Sequence, residues 1–123
     1  METIEAPESS TVRYTAVLKD VDGTVIPSAI VSTITATLYL EDTAGNTIIS
    51  GWNARDIFNA NDCTFGISDG LITIFLGPSD TAMTDTTKQR ERLICEYVFV
   101  YGSGPQKTGR HRFRVILENY GSV

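Results

Sequence analysis

Arg92-Leu-Ile-Cys-Glu-Tyr-Val-Phe-Val-Tyr101, then Gly102-Ser-Gly-Pro-Gln-Lys-Thr-Gly109, then Arg110-His-Arg-Phe-Arg-Val-Ile-Leu-Glu-Asn119 is the stretch that decides the fold. In its first part Leu93, Cys95, Tyr97 and Phe99 alternate with other residues, and in its last part Phe113, Val115 and Leu117 alternate with Arg110, Arg112 and Arg114. A period of two sends successive side chains to opposite faces of a strand. The central segment is rich in chain breakers, so residues 92–101 and 110–119 are expected to form a hairpin closed by residues 102–109. Symmetric closure brings Glu96 near Arg114 and leaves two arginines for solvent or another molecule.

The same period extends outward along the chain. Residues 11–19 alternate Val12, Tyr14, Ala16 and Leu18 with polar neighbours and run into Asp20-Val-Asp-Gly23, a turn whose glycine can take positive φ. Val25 and Ile26 meet Pro27, which cannot donate to a ladder and marks an edge or a crossover. Residues 34–41 place Ile34, Ala36, Leu38 and Leu40 on one face, residues 42–46 read as a turn, and residues 47–50 as a short strand. Between 53 and 65 the pattern breaks into a loop or a single helical turn anchored by Ile57, Phe58 and Phe65. Leu71-Ile-Thr-Ile-Phe-Leu76 is apolar on both faces and is expected at the centre of its sheet. Ser79 or Asp80 could cap one helical turn through Met83, and residues 84–90 read as an exposed crossing loop.

Six to eight short strands without a long helix imply an all-β, antiparallel β-sandwich, immunoglobulin-like, with a jelly-roll-like sandwich as the alternative. With 123 residues and 41% apolar side chains there is material for one core. Residues 11–123 are expected to be that domain, and residues 1–10, with Glu2, Glu5 and Glu8, an acidic arm that is mobile until it orders on a neighbour. The acidic start does not resemble a secretory signal and no apolar run is long enough to span a membrane, so neither export by a signal peptide nor membrane contact is expected.

Charge is segregated. Residues 1–87 carry three basic and twelve acidic side chains, whereas residues 88–114 carry seven basic and two acidic ones. An acidic bulk with one basic segment suits registered contact between protein copies, and the net charge of −5 disfavours nucleic acid. Lys88, Arg90, Arg92, Arg110, Arg112 and Arg114 are the candidate assembly residues. Tyr97, Phe99 and Tyr101 fall on the opposite face from the arginines, so base stacking and phosphate contact would not share a surface.

Catalytic and metal chemistry find little support. His111 is the only histidine, and no nucleophile is tied to it by spacing; it reads as a hydrogen-bonding boundary residue. Asp20 with Asp22 and Asp80 with Asp85 sit in turn-forming contexts, and the calcium-loop opening at Asp20 lacks its later ligands. Cys63 and Cys95 are too few and too far apart for a zinc site and are expected as free thiols, Cys95 buried and Cys63 less protected. No cofactor is expected. Trp52, with Tyr39 and Asn53, is the candidate ligand-binding group of a carbohydrate- or receptor-binding module, the alternative to an assembly role.

Across about residues 16–119 the landmarks fall in one order: Asp22-Gly23 then Ile26-Pro27; Thr33-Ile-Thr-Ala-Thr-Leu-Tyr39; Gly45 with Ile48-Ile49 and Gly51; Asp69-Gly70 before Leu71; Pro78, Asp80 and Met83; Tyr97, Phe99 and Tyr101; and Gly109-Arg-His111. In that order the chain resembles small β-sandwich structural proteins of tailed bacteriophage virions. The resemblance implies a non-enzymatic virion component at the head–tail junction, on the capsid surface or in the tail, made in the host cytoplasm. Its implied partners are copies of itself and capsid, portal or tail proteins, and it carries over no catalytic residue.

Overall fold

The computed structural model describes residues 1–41 and 47–119, and the turn expected over 42–46 lies outside the described residues. Eight strands form two sheets. They are β1 (Glu2–Pro7), β2 (Val12–Val17), β3 (Val31–Leu40), β4 (Arg55–Asp56), β5 (Thr64–Phe65), β6 (Leu71–Leu76), β7 (Arg90–Tyr101) and β8 (Lys107–Glu118). One sheet runs β1-β8-β7-β3-β4 and the other β2-β6-β5. Every neighbouring pair is antiparallel except β1 with β8, which is parallel.

This strand order is the immunoglobulin arrangement rather than the jelly roll. Setting β1 aside, the second, fifth and fourth strands of an immunoglobulin sandwich correspond to β2, β6 and β5, and the hairpin β7-β8 beside β3 supplies the facing sheet. β6 lies between β2 and β5, which explains its apolar character on both faces: Ile72, Thr73, Ile74 and Leu76 are all buried. The alternation in β3, β7 and β8 delivers Ile34, Ala36, Leu38, Leu93, Cys95, Tyr97, Phe99, Phe113, Val115 and Leu117 to one core between the sheets.

Four expectations need correction. Residues 2–7, expected as an arm, are the edge strand β1, because Ile4 and Ala6 turn inward against the core while Thr3 and Glu5 face solvent. The broken stretch 53–65 contains the two-residue strands β4 and β5, joined by left-handed residues at Asn59, Asn61 and Asp62; Asn and Asp tolerate that conformation. Residues 47–50 run along β3 through a single bridge, Tyr39 with Ile48. After β6 the chain makes turns rather than a helix: the Asp80 carboxylate accepts from the Gly77 N–H at 2.8 Å, so it reaches backward instead of capping forward.

The crossing segment before β7 is held from below. Glu91 is 4% exposed, and its carboxylate accepts from the Thr84 N–H, the Thr84 hydroxyl and the Asp85 N–H. Three hydrogen bonds satisfy the buried charge that would otherwise be costly.

Candidate functional site

The two longest strands, β7 and β8, extend further than the breakers suggest, and this changes the register. Lys107 pairs with Tyr101, so the residue opposite Glu96 is Arg112 and not Arg114. The extra length is secured at Lys107, whose ammonium reaches the Asp20 carboxylate at 3.0 Å, while Tyr101 donates to the same carboxylate at 2.9 Å. These contacts hold the Asp20 acid below the usual carboxylate range, chiefly through the Lys107 hydrogen bond, and hold the Lys107 ammonium above its ordinary value. Asp20 also accepts from the Val21 N–H, and Asp22 from the Thr24 N–H, so both carboxylates serve the turn around Gly23 (φ +87°).

On the outer face of the five-stranded sheet the arginine row meets carboxylates from its own chain. Arg110 pairs with Glu96 at 3.0 Å and Arg90 with Glu118 at 2.9 Å. Arg114 grips Glu41 with two parallel hydrogen bonds, 2.7 and 2.8 Å, a bidentate geometry stronger than an exposed point contact. That grip holds the Glu41 acid below its usual range. Arg92 lies on the same face and is exposed, with its carbonyl accepting from the Glu41 N–H. Lys88 is exposed just before β7, and its carbonyl accepts from the buried Asn119 side chain. Arg112 is exposed and, among the described residues, makes no ion pair. The arginines are therefore gathered on one face as expected, and three of them are already paired; among the described residues Arg112 and Lys88 make no ion pair.

Between the charges the same face is apolar or threonine. Val98 and Val100 on β7, Ile116 on β8 and Tyr39 on β3 are half-buried there, beside Thr33, Thr35 and Thr37. At about 3.3 Å per residue the twelve-residue β7 is roughly 40 Å long.

The alternative trio does not assemble. Trp52 is 1% exposed and belongs to the core, with the Arg55 guanidinium 4.8 Å from its ring centre; Tyr39 lies on the open sheet face; Asn53 is exposed in the intervening turn. A tryptophan so covered cannot offer its ring to a sugar. His111 is exposed and stacks on Phe99 (5.5 Å, 6°), and its side chain makes no hydrogen bond among the described residues, contrary to its reading as a hydrogen-bonding boundary residue. Cys63 and Cys95 are both buried free thiols, Cys95 the more deeply as expected, and burial pushes both up. Sequence reasoning missed Glu41 as the partner of Arg114, because only the sheet order brings the two together, and Arg55 as the cover of Trp52, because that contact depends on the local turn through Ala54 (φ +51°).

No family model matches this chain, and neither a curated protein nor a solved structure matches it.

Proposed function

We propose that this chain is a non-enzymatic structural component of a tailed-phage virion, which docks through the open face of its five-stranded sheet onto a second copy or a neighbouring capsid, portal or tail protein. The observation that supports this reading is the composition of that face. Val98, Val100, Ile116 and Tyr39 supply apolar area, the threonine row of β3 is neutral and flat, and Arg112 is a cation without an ion-pair partner among the described residues. Apolar contact gives such an interface its energy, and an unneutralised charge within it sets the register. The internal pairs at Arg110 and Arg114 hold the surrounding side chains in fixed positions, so less side-chain freedom is lost on docking.

The test is Arg112→Glu, alone and with Val98→Lys. Both positions face away from the core, so the variants are expected to melt as the native protein does. Light scattering on sized protein reads self-association, and co-sedimentation with purified particles reads incorporation. Loss of either association by a folded variant supports the reading. A folded double variant that assembles and incorporates like the native chain overturns it.

A further inference from the structure

Of the five large apolar side chains that stand exposed among the described residues, three gather at one end of the three-stranded sheet. Val17 closes β2, Val21 lies in the turn that follows it, and Ile67 lies in the turn between β5 and β6. The two turns pack on one another. The Leu18 N–H donates to the Gly70 carbonyl at 2.8 Å, the Ser28 N–H donates to the Ile67 carbonyl at 3.0 Å, and a Cβ at Gly70 would strike Val25. Val17 is paired in register with Leu71, which is half-buried beside it. Val21 is 90% and Ile67 83% exposed. One exposed apolar side chain is ordinary, whereas several on adjoining turns mark a contact surface.

The same turns carry Asp22 and Asp69, both exposed. Each accepts a backbone N–H of its own turn, from Thr24 and Leu71, and neither makes an ion pair among the described residues. Lys19 is the cation beside them, and the Lys107–Asp20 pair is neutral, so carboxylates are in excess at this apolar end. The open face of the five-stranded sheet has the opposite balance. It offers Val98 and Val100 together with Arg112, whose cross-strand neighbour Glu96 is taken by Arg110. Arg112 and Lys88 are its cations without an ion pair among the described residues, against Glu5 on β1. Unlike surpluses favour loop end on sheet face, and like surpluses disfavour loop end on loop end or face on face.

We propose that the loop end bearing Val17, Val21 and Ile67 docks on the open sheet face of a second copy of this chain, where Asp22 and Asp69 supply the carboxylates that Arg112 lacks. The inference rests on the docking role proposed above for that face and names its occupant. The two surfaces belong to opposite layers of the sandwich, so one copy engages both at once. Because the surfaces differ, the contact is heterologous, and copies add head to tail beyond a dimer.

The test is light scattering on the full chain up to about 1 mM, where even weak contacts are populated. Val21→Ser with Ile67→Ser changes two side chains outside the core and is expected to weaken association about tenfold or more. Asp22→Asn with Asp69→Asn keeps an acceptor for each turn N–H while removing the charge, and is expected to weaken it about threefold or more. The decisive measurement mixes the Val21→Ser, Ile67→Ser chain with the Arg112→Glu, Val98→Lys chain. Each alone keeps one live surface and is expected to stay monomeric, and the mixture is expected to give a one-to-one pair that grows no further. A native chain that is monomeric throughout, unchanged assembly in both folded loop-end variants, or a mixture that forms no pair overturns the proposal. A native chain that is monomeric in solution, yet joins particles only with Arg112 and Val98 intact, overturns it and leaves the docking role of the sheet face standing. Sheet-face variants that assemble and incorporate like the native chain overturn both.

Discussion

The hydroxyls of Tyr14 on β2 and Tyr97 on β7 share a hydrogen bond of 2.9 Å across the interior of the sandwich. These strands are the ones that an immunoglobulin domain joins by its inter-sheet disulfide. Here the two cysteines are free, and an aromatic cluster takes the central place, with Tyr14 also stacked on Phe113 at 3.9 Å between ring centres. Burial pushes both phenols above their ordinary value. Removing one hydroxyl leaves its partner buried and unpaired, so Tyr14→Phe and Tyr97→Phe are each expected to cost about 1–3 kcal/mol. The double variant removes both polar groups together and should cost less than the sum. Urea denaturation of the four proteins measures the coupling; strict additivity would show that the bond contributes nothing specific.

Gly109 on β8 faces Phe99, and a Cβ built at that position clashes with the Cζ and Cε edge of the Phe99 ring. The ring cannot swing away, because His111 stacks on it and Tyr101 stacks at 5.7 Å. Gly109→Ala is therefore an overpacking change inside the main hairpin, expected to destabilise by about 1–3 kcal/mol. Gly104, around which a Cβ would meet open space, is the control, and Gly104→Ala should lie within about 0.5 kcal/mol of the native protein. Equal melting temperatures for the two variants would contradict this.

What could be read in advance was whatever depended on period two. The inward rows Leu93 to Tyr101 and Phe113 to Leu117, the central position of β6 and the turn at Gly23 all follow from local pattern. Residues 2–7 escaped notice because a parallel edge strand with one acidic face shows only Ile4 and Ala6 as inward signals. β4 and β5 are too short to express a period at all. Among the candidate interface residues, the arginines were visible but their partners were not. The pairing of Arg110 with Glu96, rather than Arg114 with Glu96, turns on where the hairpin closes, and Lys107 extends that closure through a contact with Asp20, eighty-seven residues away in the chain. Trp52 looked available beside Gly51 and Asn53, and only the packing of Arg55 over it shows otherwise.

Both thiols lie in the core, Cys63 at 2% and Cys95 at 0% exposure, and burial raises both above the ordinary thiol range. The thiolate is the reactive form, so neither should react at neutral pH while the protein is folded. An aromatic disulfide reagent is expected to titrate no thiol in native buffer and two in denaturant. Rapid native labelling of Cys63 would mean that the loop before β5 opens far more readily than its packing implies.

The Arg114–Glu41 clamp gives stability a pH dependence with a definite sign. The Glu41 acid is lowered in the folded protein, first by the Arg114 hydrogen bonds and then by the nearby positive charges of Arg114, Arg92 and Arg112. A depressed folded-state value means that the unfolded chain takes up its proton first as pH falls. The stabilisation is thus complete above the unfolded carboxylate value, near 4.3, and is lost as pH drops through that value toward the lower folded one. Asp20, lowered by Lys107, contributes with the same sign. Melting temperatures measured from pH 7 to pH 3 should fall below about pH 5. In Glu41→Gln the fall should be shallower, since that variant has already lost the interaction at every pH. Identical slopes for the two proteins would place the acid sensitivity elsewhere and leave the clamp energetically silent.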